Sequence, residues 1–377
     1  MRVALVLAGP YPAVRGSQVL LQQLASGLGA RGHAVDLVTY GTRDVRRQGP
    51  SVERVVRDAL LTVRLWRVVR RAAVDVIHAH NYEAAIAGLV VARLTGRPLV
   101  YHGHNALAEE LPTYFARRSL RRVAGVVGAV LDAQVPRRAD FCIAVTEELG
   151  AMLRRRRVAE VDLACISPVG DPADLQVAPS ADRSTGRVCY AGNLDAYQNL
   201  DFLLRSFARV RLQVPRARLV LLTHAGVPAD LERFGAAGTG IEVVCAASYQ
   251  EVRDRLADAD VVVSPRAERS GFPMKLLNYM AAGKAIVASA GSAKSIVDGV
   301  TGRVVPDGDE VAFAAAIVAL LRDAGARARL GAAARRAIED GGAWESVLDR
   351  LENIYRSVTA DRDRARRGRA RAVACAE

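Results

Sequence analysis

Lysine is almost missing from this chain. Of 53 Lys+Arg in 377 residues, only Lys275, Lys284 and Lys294 are lysine, and all three fall in one short stretch. A compact ammonium and a planar guanidinium do different work, so that stretch is where a point charge is wanted. Cysteine is scarce as well. The five, at 142, 165, 189, 245 and 375, form no CxxC and are odd in number, which argues against a disulfide framework or a zinc site and for reduced thiols in a cytosol. Aromatics make up 5% and do not interleave with basic residues as they do in single-strand binders. No nucleic-acid partner is therefore expected, despite a net charge of +13. No apolar run reaches the ~18 residues of a membrane span. Met1–Gly9 is apolar but short and leads into a loop and helix, the mark of a first strand and not of a signal peptide. No His, Cys, Asp or Glu cluster has metal-ligand spacing, so no metal is expected.

What is present is apolar content of 51%, enough for two cores, and a length that favours two domains. Strand and helix patterns alternate throughout, which predicts parallel α/β sheets. Strands are expected at 3–7, 35–39, 74–78, 99–102, 141–145 and 163–166, then at 188–191, 219–223, 241–245, 261–264, 285–289 and 303–305. Helical patterns in the first half lie at 17–30, 52–71, 83–94, 111–135 and 146–156. The stretch 162–186 is rich in Pro, Ser, Asp and Gly and reads as a linker. Two doubly wound domains follow, 1–170 and 171–343, with ligands expected at the carboxyl ends of the strands and in the cleft between domains. Charge is uneven: residues 1–170 hold 24 Arg against 14 Asp+Glu, so an anionic partner belongs to the first half.

The segment 264–289 is the richest in signal. Asp260-Val-Val-Val-Ser264 reads as a strand buried on both faces. A Gly271-Phe272-Pro273 loop leads into a helix over 274–282 that stops at Gly283. Its first turn, with Lys275, predicts an anion site, and Asn278 lies one turn on from Lys275.

The helix expected at 111–135 has two faces. Leu120, Val123, Val127, Val130 and Leu131 share one side, and Arg117, Arg118, Arg121 and Arg122 share the other. The favoured reading is a surface helix whose apolar side packs on its own sheet. The alternative is docking on anionic lipid, extended by Arg154–Arg157. The tail 359–377 carries six Arg in eleven residues from Asp361 and is expected to be disordered.

Among six histidines, His33 and His224 read as structural, while His78 and His80 alternate along one strand. His102 and His104 share a face by the period-two rule. Asp258-Ala-Asp260 precedes a buried strand and reads as a turn feature instead of a metal-binding DxD.

Taken together, several segments resemble the family-4 retaining glycosyltransferases of GT-B architecture, along nearly the whole chain. These are Gly9-Pro-Tyr-Pro-Ala-Val-Arg-Gly16-Ser17-Gln18 with the helix that follows, Asp75-Val-Ile-His78-Ala-His80, Val100-Tyr-His102-Gly-His104-Asn105, Tyr190-Ala-Gly192-Asn193-Leu-Asp195-Ala-Tyr-Gln198-Asn199, the 264–289 segment, and Trp344-Glu to Tyr355. The departures are specific. Arg15 stands where the family has a glycine, Asn193 and Gln198 where it has Arg and Lys on the donor diphosphate, and Asn278 where the second of two glutamates is expected. Ser270 falls at the first glutamate, with Glu268 close by.

The resemblance implies two Rossmann-like domains facing a cleft, with residues 344–358 as a helix crossing back to the first. It implies metal-independent transfer of a sugar, with retention, from a nucleotide-diphosphate sugar to an acceptor hydroxyl, with no cofactor. His104 is the implied active-site residue. Gly16, Ser17, Asn193, Gln198, Glu268, Ser270, Gly271, Phe272, Lys275, Leu276 and Asn278 are the implied donor-binding set. The partners implied are a nucleotide sugar and a sugar or lipid-linked acceptor, in polysaccharide, glycolipid or other glycoconjugate synthesis; the reduced thiols point to the cytoplasm, and the basic first half to peripheral contact with anionic membrane. Two other readings stand beside it: a sugar-nucleotide epimerase of similar fold, and a basic nucleic-acid-binding protein without activity.

Overall fold

The computed structural model describes residues 1–12, 16–42, 49–169, 186–223, 240–246, 249–267, 271–339 and 342–374. Two compact units divide the chain. The first holds 1–13, 17–168 and 345–377; the second holds 14–16 and 169–344.

The first unit carries β1 (Arg2–Leu7), β2 (Ala34–Val38), β3 (Val76–His80), β4 (Leu99–Gly103), β5 (Phe141–Ala144) and β6 (Leu163–Cys165). They form one parallel sheet in the order β2-β1-β3-β4-β5-β6. The second unit carries β7 (Arg187–Ala191), β8 (Arg218–Thr223), β9 (Ile241–Cys245), β10 (Val261–Ser264), β11 (Ala285–Ser289) and β12 (Arg303–Val305). Its parallel order is β12-β11-β10-β7-β8-β9, so the order reverses between β7 and β10, where α/β sheets bind ligands.

β3, β4, β10 and β11 are buried at every position, and the near-continuous apolar runs of β10 and β11 suit strands covered by helices on both faces. In the second unit the two faces have separate cores. One gathers Leu203, Phe207, Val263 and Phe313; the other gathers Val262, Leu276, Tyr279 and Ile286.

Three sequence expectations are corrected. β3 lies two residues later than the 74–78 run suggested, so both His78 and His80 are inside it. The 111–135 pattern breaks into a 3-10 turn at Leu111–Tyr114, with Pro112 at its start, and a helix over Arg118–Gln134. The small side of that helix is the packed one: Ala124, Gly128 and Asp132 are buried, and Leu120, Val123, Val127 and Val130 are exposed. The described part of the tail is helical, in one helix over Gly342–Ala374, and residues 375–377 lie outside the described residues. Ala and Arg are strong helix formers, and each residue added to an existing helix gains a bond without a new nucleation cost.

That last helix is packed on the first unit from Glu345 onward. Leu348, Leu351, Ile354, Tyr355 and Val358 are buried. Arg31 bonds Glu345 and Asp349, the latter at 2.6 Å, and His33 Nε2 meets Glu352 Oε1 at 3.0 Å, which gives His33 the structural role expected of it. Arg362 closes the far end with two 2.8 Å bonds to Asp140.

Candidate active site

At the reversal point of the second sheet, β7 and β10 pair over only two residues, Val188 with Val261 and Cys189 with Val262. Beyond that the strands part. Tyr279 stands in the gap: its hydroxyl accepts from Ala191 N at 2.8 Å and reaches Ala191 O and Val263 O at 3.3 and 3.4 Å. The helix that brings Tyr279 there, Lys275–Ala281, also places Lys275 at the carboxyl end of β7.

Lys275 Nζ donates to Tyr190 Oη at 3.0 Å and to Gln198 Oε1 at 2.6 Å, and it sits 4.1 Å from the centre of the Tyr190 ring. Gln198 Nε2 in turn donates to Asn193 Oδ1 at 2.8 Å, and Asn193 Nδ2 donates to Asp195 and Tyr197. Tyr190 Oη donates to Asn193 O at 2.6 Å. Close approach needs a glycine: Gly192 has φ +155°, and a Cβ there would lie 3.3 Å from Lys275 Nζ. Burial, and then the nearby Arg266, hold the Lys275 pKa well below its usual value. An ammonium so placed is stabilised by an anion.

The expected donor set falls into different surroundings. Lys275 is central. Gln198 contacts it directly and Asn193 through Gln198, and the Asn193 amide also bonds Asp195 and Tyr197. Leu276 is fully buried in the core, and its amide bonds Pro273 O at 2.9 Å. The helix is seven residues long with Met274 at its N-cap, not Pro273 at its first position. Phe272 is half-buried against the core, and Asn278 is half-buried on the Lys275 helix. Glu268 and Ser270 lie outside the described residues.

Sequence reasoning missed Arg266. It is buried, its guanidinium lies 5.1 Å over the Tyr197 ring, and a Cβ at Gly271 would fall 2.4 Å from its Nη2. The glycine is what leaves room for the arginine. Only the Gly271 of the loop hinted at it.

In the first unit, β3 and β4 place four imidazoles on one face, because His80 pairs with His102 across the strands and period two aligns His78 and His104 with them. His78 Nε2 lies 3.1 Å from His102 Nδ1, and His80 Nδ1 lies 3.1 Å from His104 Nε2. Tyr355 Oη, from the final helix, is 2.6 Å from His78 Nδ1. Burial lowers the His78 pKa to about 3 and that of His104 to about 4, and His80 and His102 also fall well below the usual range. The cluster is neutral at pH 7. His78, His80 and His102 present ligand atoms within 4.8 Å of one another, a grouping the sequence spacing did not reveal. His104, one residue past β4, is half-buried and the most accessible of the four. Gly16 opens the helix Gly16–Ala30, and Ser17 Oγ donates to Gln18 Oε1 at 2.9 Å.

Asp258 and Asp260 serve structure. Asp260 accepts from Arg187 N at 2.9 Å and Asp258 pairs with the Arg187 side chain at 3.4 Å. His224 lies outside the described residues.

Comparison with known proteins gives two family matches. Residues 14–173 match the family described as Glycosyltransferase Family 4, and residues 185–323 match that described as Glycosyl transferases group 1. A D-inositol 3-phosphate glycosyltransferase of Nocardiopsis dassonvillei is 26% identical over 398 residues, spanning 92% of this chain and 90% of the relative. One of the same name from Xylanimonas cellulosilytica is 29% identical over 76% of this chain and 73% of its own. Among solved structures, the sucrose-phosphate synthase of Thermosynechococcus elongatus aligns with a TM-score of 0.77 at 18% identity, over 96% of this chain and all of the other. Anabaena HepE in complex with UDP-glucose aligns with a TM-score of 0.67 at 16% identity, over 93% of this chain and 99% of that one.

Proposed function

This chain belongs to glycosyltransferase family 4 and is a glycosyltransferase of GT-B fold, and from that premise we propose that it moves a sugar from a nucleotide-diphosphate donor to an acceptor hydroxyl with retention at the anomeric carbon. The acceptor we infer is a sugar or lipid-linked glycan in cell-surface polysaccharide, glycolipid or other glycoconjugate synthesis, met on the cytoplasmic side of the membrane. The observation that carries the reading is Lys275, held by Tyr190 and Gln198 at the reversal point of the second sheet with its pKa depressed by burial, so that a bound diphosphate favours its charged form.

Glycosyl transfer expels a nucleoside diphosphate, and negative charge grows on its leaving oxygen as the anomeric bond breaks. A cation fixed beforehand by hydrogen bonds stabilises that charge without reorganising. In this reading the donor phosphate itself takes the acceptor proton on the face from which the diphosphate leaves, which gives retention. His104, neutral at pH 7, offers a hydrogen bond to the sugar or acceptor without competing for the diphosphate.

The test is a thermal-shift titration with UDP-, GDP- and ADP-sugars, followed by NMR of the product's anomeric configuration. A true donor at 100 times its Kd stabilises by about 2.7 kcal/mol and yields a product of the donor's own anomeric configuration. An inverted product refutes retention; indifference to every nucleotide sugar refutes the donor class.

A further inference from the structure

The four imidazoles of the first unit are joined in pairs, and their surroundings decide where the protons sit. Burial keeps all four neutral at pH 7, so each ring has one proton to place, on Nδ1 or on Nε2. His80 Nε2 and His102 Nε2 are buried and meet no polar partner among the described residues. A proton on either would leave an N–H buried and unpaired, which folded proteins rarely tolerate. A bare nitrogen lone pair is the smaller loss. The proton of His80 and that of His102 therefore belong on Nδ1.

That choice passes along each pair. With its proton on Nδ1, His80 donates to His104 Nε2 across 3.1 Å. His104 Nε2 is then an acceptor, and the proton of His104 must sit on its own Nδ1. In the other pair His102 Nδ1 donates to His78 Nε2 at 3.1 Å, and His78 Nδ1 donates to Tyr355 Oη at 2.6 Å. One assignment, every proton on Nδ1, satisfies all three contacts and leaves no N–H orphaned in the two buried rings. The one N–H of the group that meets no partner among the described residues is that of His104 Nδ1, on the most accessible ring.

We propose that His80 is a positioning residue: it locks His104 in the Nδ1–H form, so that His104 presents a hydrogen-bond donor, and not a base, to an oxygen of the sugar or acceptor. A group that already carries its proton there cannot take the one lost by the acceptor hydroxyl, which leaves that proton to the donor phosphate. The effect on turnover rests on the proposed function, in which His104 meets the sugar or acceptor. The position of the proton rests on the imidazole contacts alone.

Long-range proton–nitrogen correlation NMR of the full chain, labelled with nitrogen-15 histidine at neutral pH, tests it. His80 and His104, assigned by the signals lost in His80→Asn and His104→Gln, should both show a protonated Nδ1 and a bare Nε2. A proton on His104 Nε2 overturns the proposal, and because the spectrum needs no substrate it does so whether or not any nucleotide sugar is turned over. The second readout is rescue. His80→Leu removes the donor and should lower turnover by about five- to tenfold, the worth of one hydrogen bond, with the donor KM unchanged. His80→Asn places an amide N–H as many bonds from the backbone as Nδ1 is, and should restore turnover to within about twofold of the parent. Equal turnover in His80→Leu and His80→Asn, both folded by circular dichroism, overturns the positioning role.

Discussion

The two units share a scaffold and differ in what they place at the carboxyl ends of their strands. Each is a parallel six-stranded sheet wrapped by helices. The first gathers four imidazoles that burial keeps neutral. The second gathers a single ammonium, steered by two amides and a tyrosine. Their surfaces differ as well. Among the described residues the second unit exposes only Leu212, Val297, Val300 and Val311 as large apolar side chains, while the first carries ridges of them on three helices. A parallel α/β sheet fixes where a ligand sits and leaves its chemistry to the side chains. Neutral donors suit a sugar or acceptor; a cation suits a diphosphate.

The comparison breaks most visibly at His104. His104→Ala is expected to cost ~30- to 1000-fold in turnover, on the order of 2–4 kcal/mol of transition-state stabilisation, with donor affinity unchanged. Initial-rate kinetics beside donor titration check it, and loss of donor affinity instead would move the nucleotide contact into the first unit. His33→Ala, by contrast, should lower the melting temperature without touching turnover, because His33 holds Glu352 of the last helix.

Tyr355→Phe comes next. It removes the hydroxyl paired with the buried His78 Nδ1, and an unpaired buried group costs about 1–3 kcal/mol. Chemical denaturation would read it. A variant as stable as the parent would mean that the imidazole cluster does not depend on the final helix.

Over the single unit from pH 7 to pH 6 the expected effect is smaller. Folded His104 and His78 take a proton only near pH 4 and 3, whereas unfolded histidine takes it near 6.5. Between those values the unfolded chain binds more protons, so stability is full above about pH 6.5 and declines as pH falls toward 4. Denaturation midpoints at pH 7 and pH 6 should begin to separate. A flat profile down to pH 4 would contradict buried neutral imidazoles.

Much of this was legible in the chain. Strands such as Val261–Ser264 and Ala285–Ser289 read directly, because burial on both faces leaves an unbroken apolar run between turn residues. Lys275 stood out by rarity. What periodicity does not give is direction. The stripe of Leu120, Val123, Val127 and Val130 was visible, but Ala124 and Gly128 decided which side packs, and that depends on how close another backbone comes. Nor does residue type give partners. Asn193 and Gln198 looked like weak substitutes for phosphate-binding cations until their amides were seen to be engaged with each other and with Lys275. Arg266 was silent because its relation to Tyr197 and Gly271 is one of space and not of spacing.

In the proposed function Lys275 of the second unit holds the donor diphosphate. Calorimetric titration of one nucleotide sugar into the parent, Lys275→Ala and Lys284→Ala tests it most directly. Lys284 Nζ bonds the carbonyls of Ala257 and Ala259, the latter at 3.1 Å, so its removal should affect stability and leave affinity within a few-fold. Lys275→Ala should lose 2–4 kcal/mol of binding, roughly 30- to 1000-fold in Kd. A Kd for Lys275→Ala equal to that of Lys284→Ala would contradict the account.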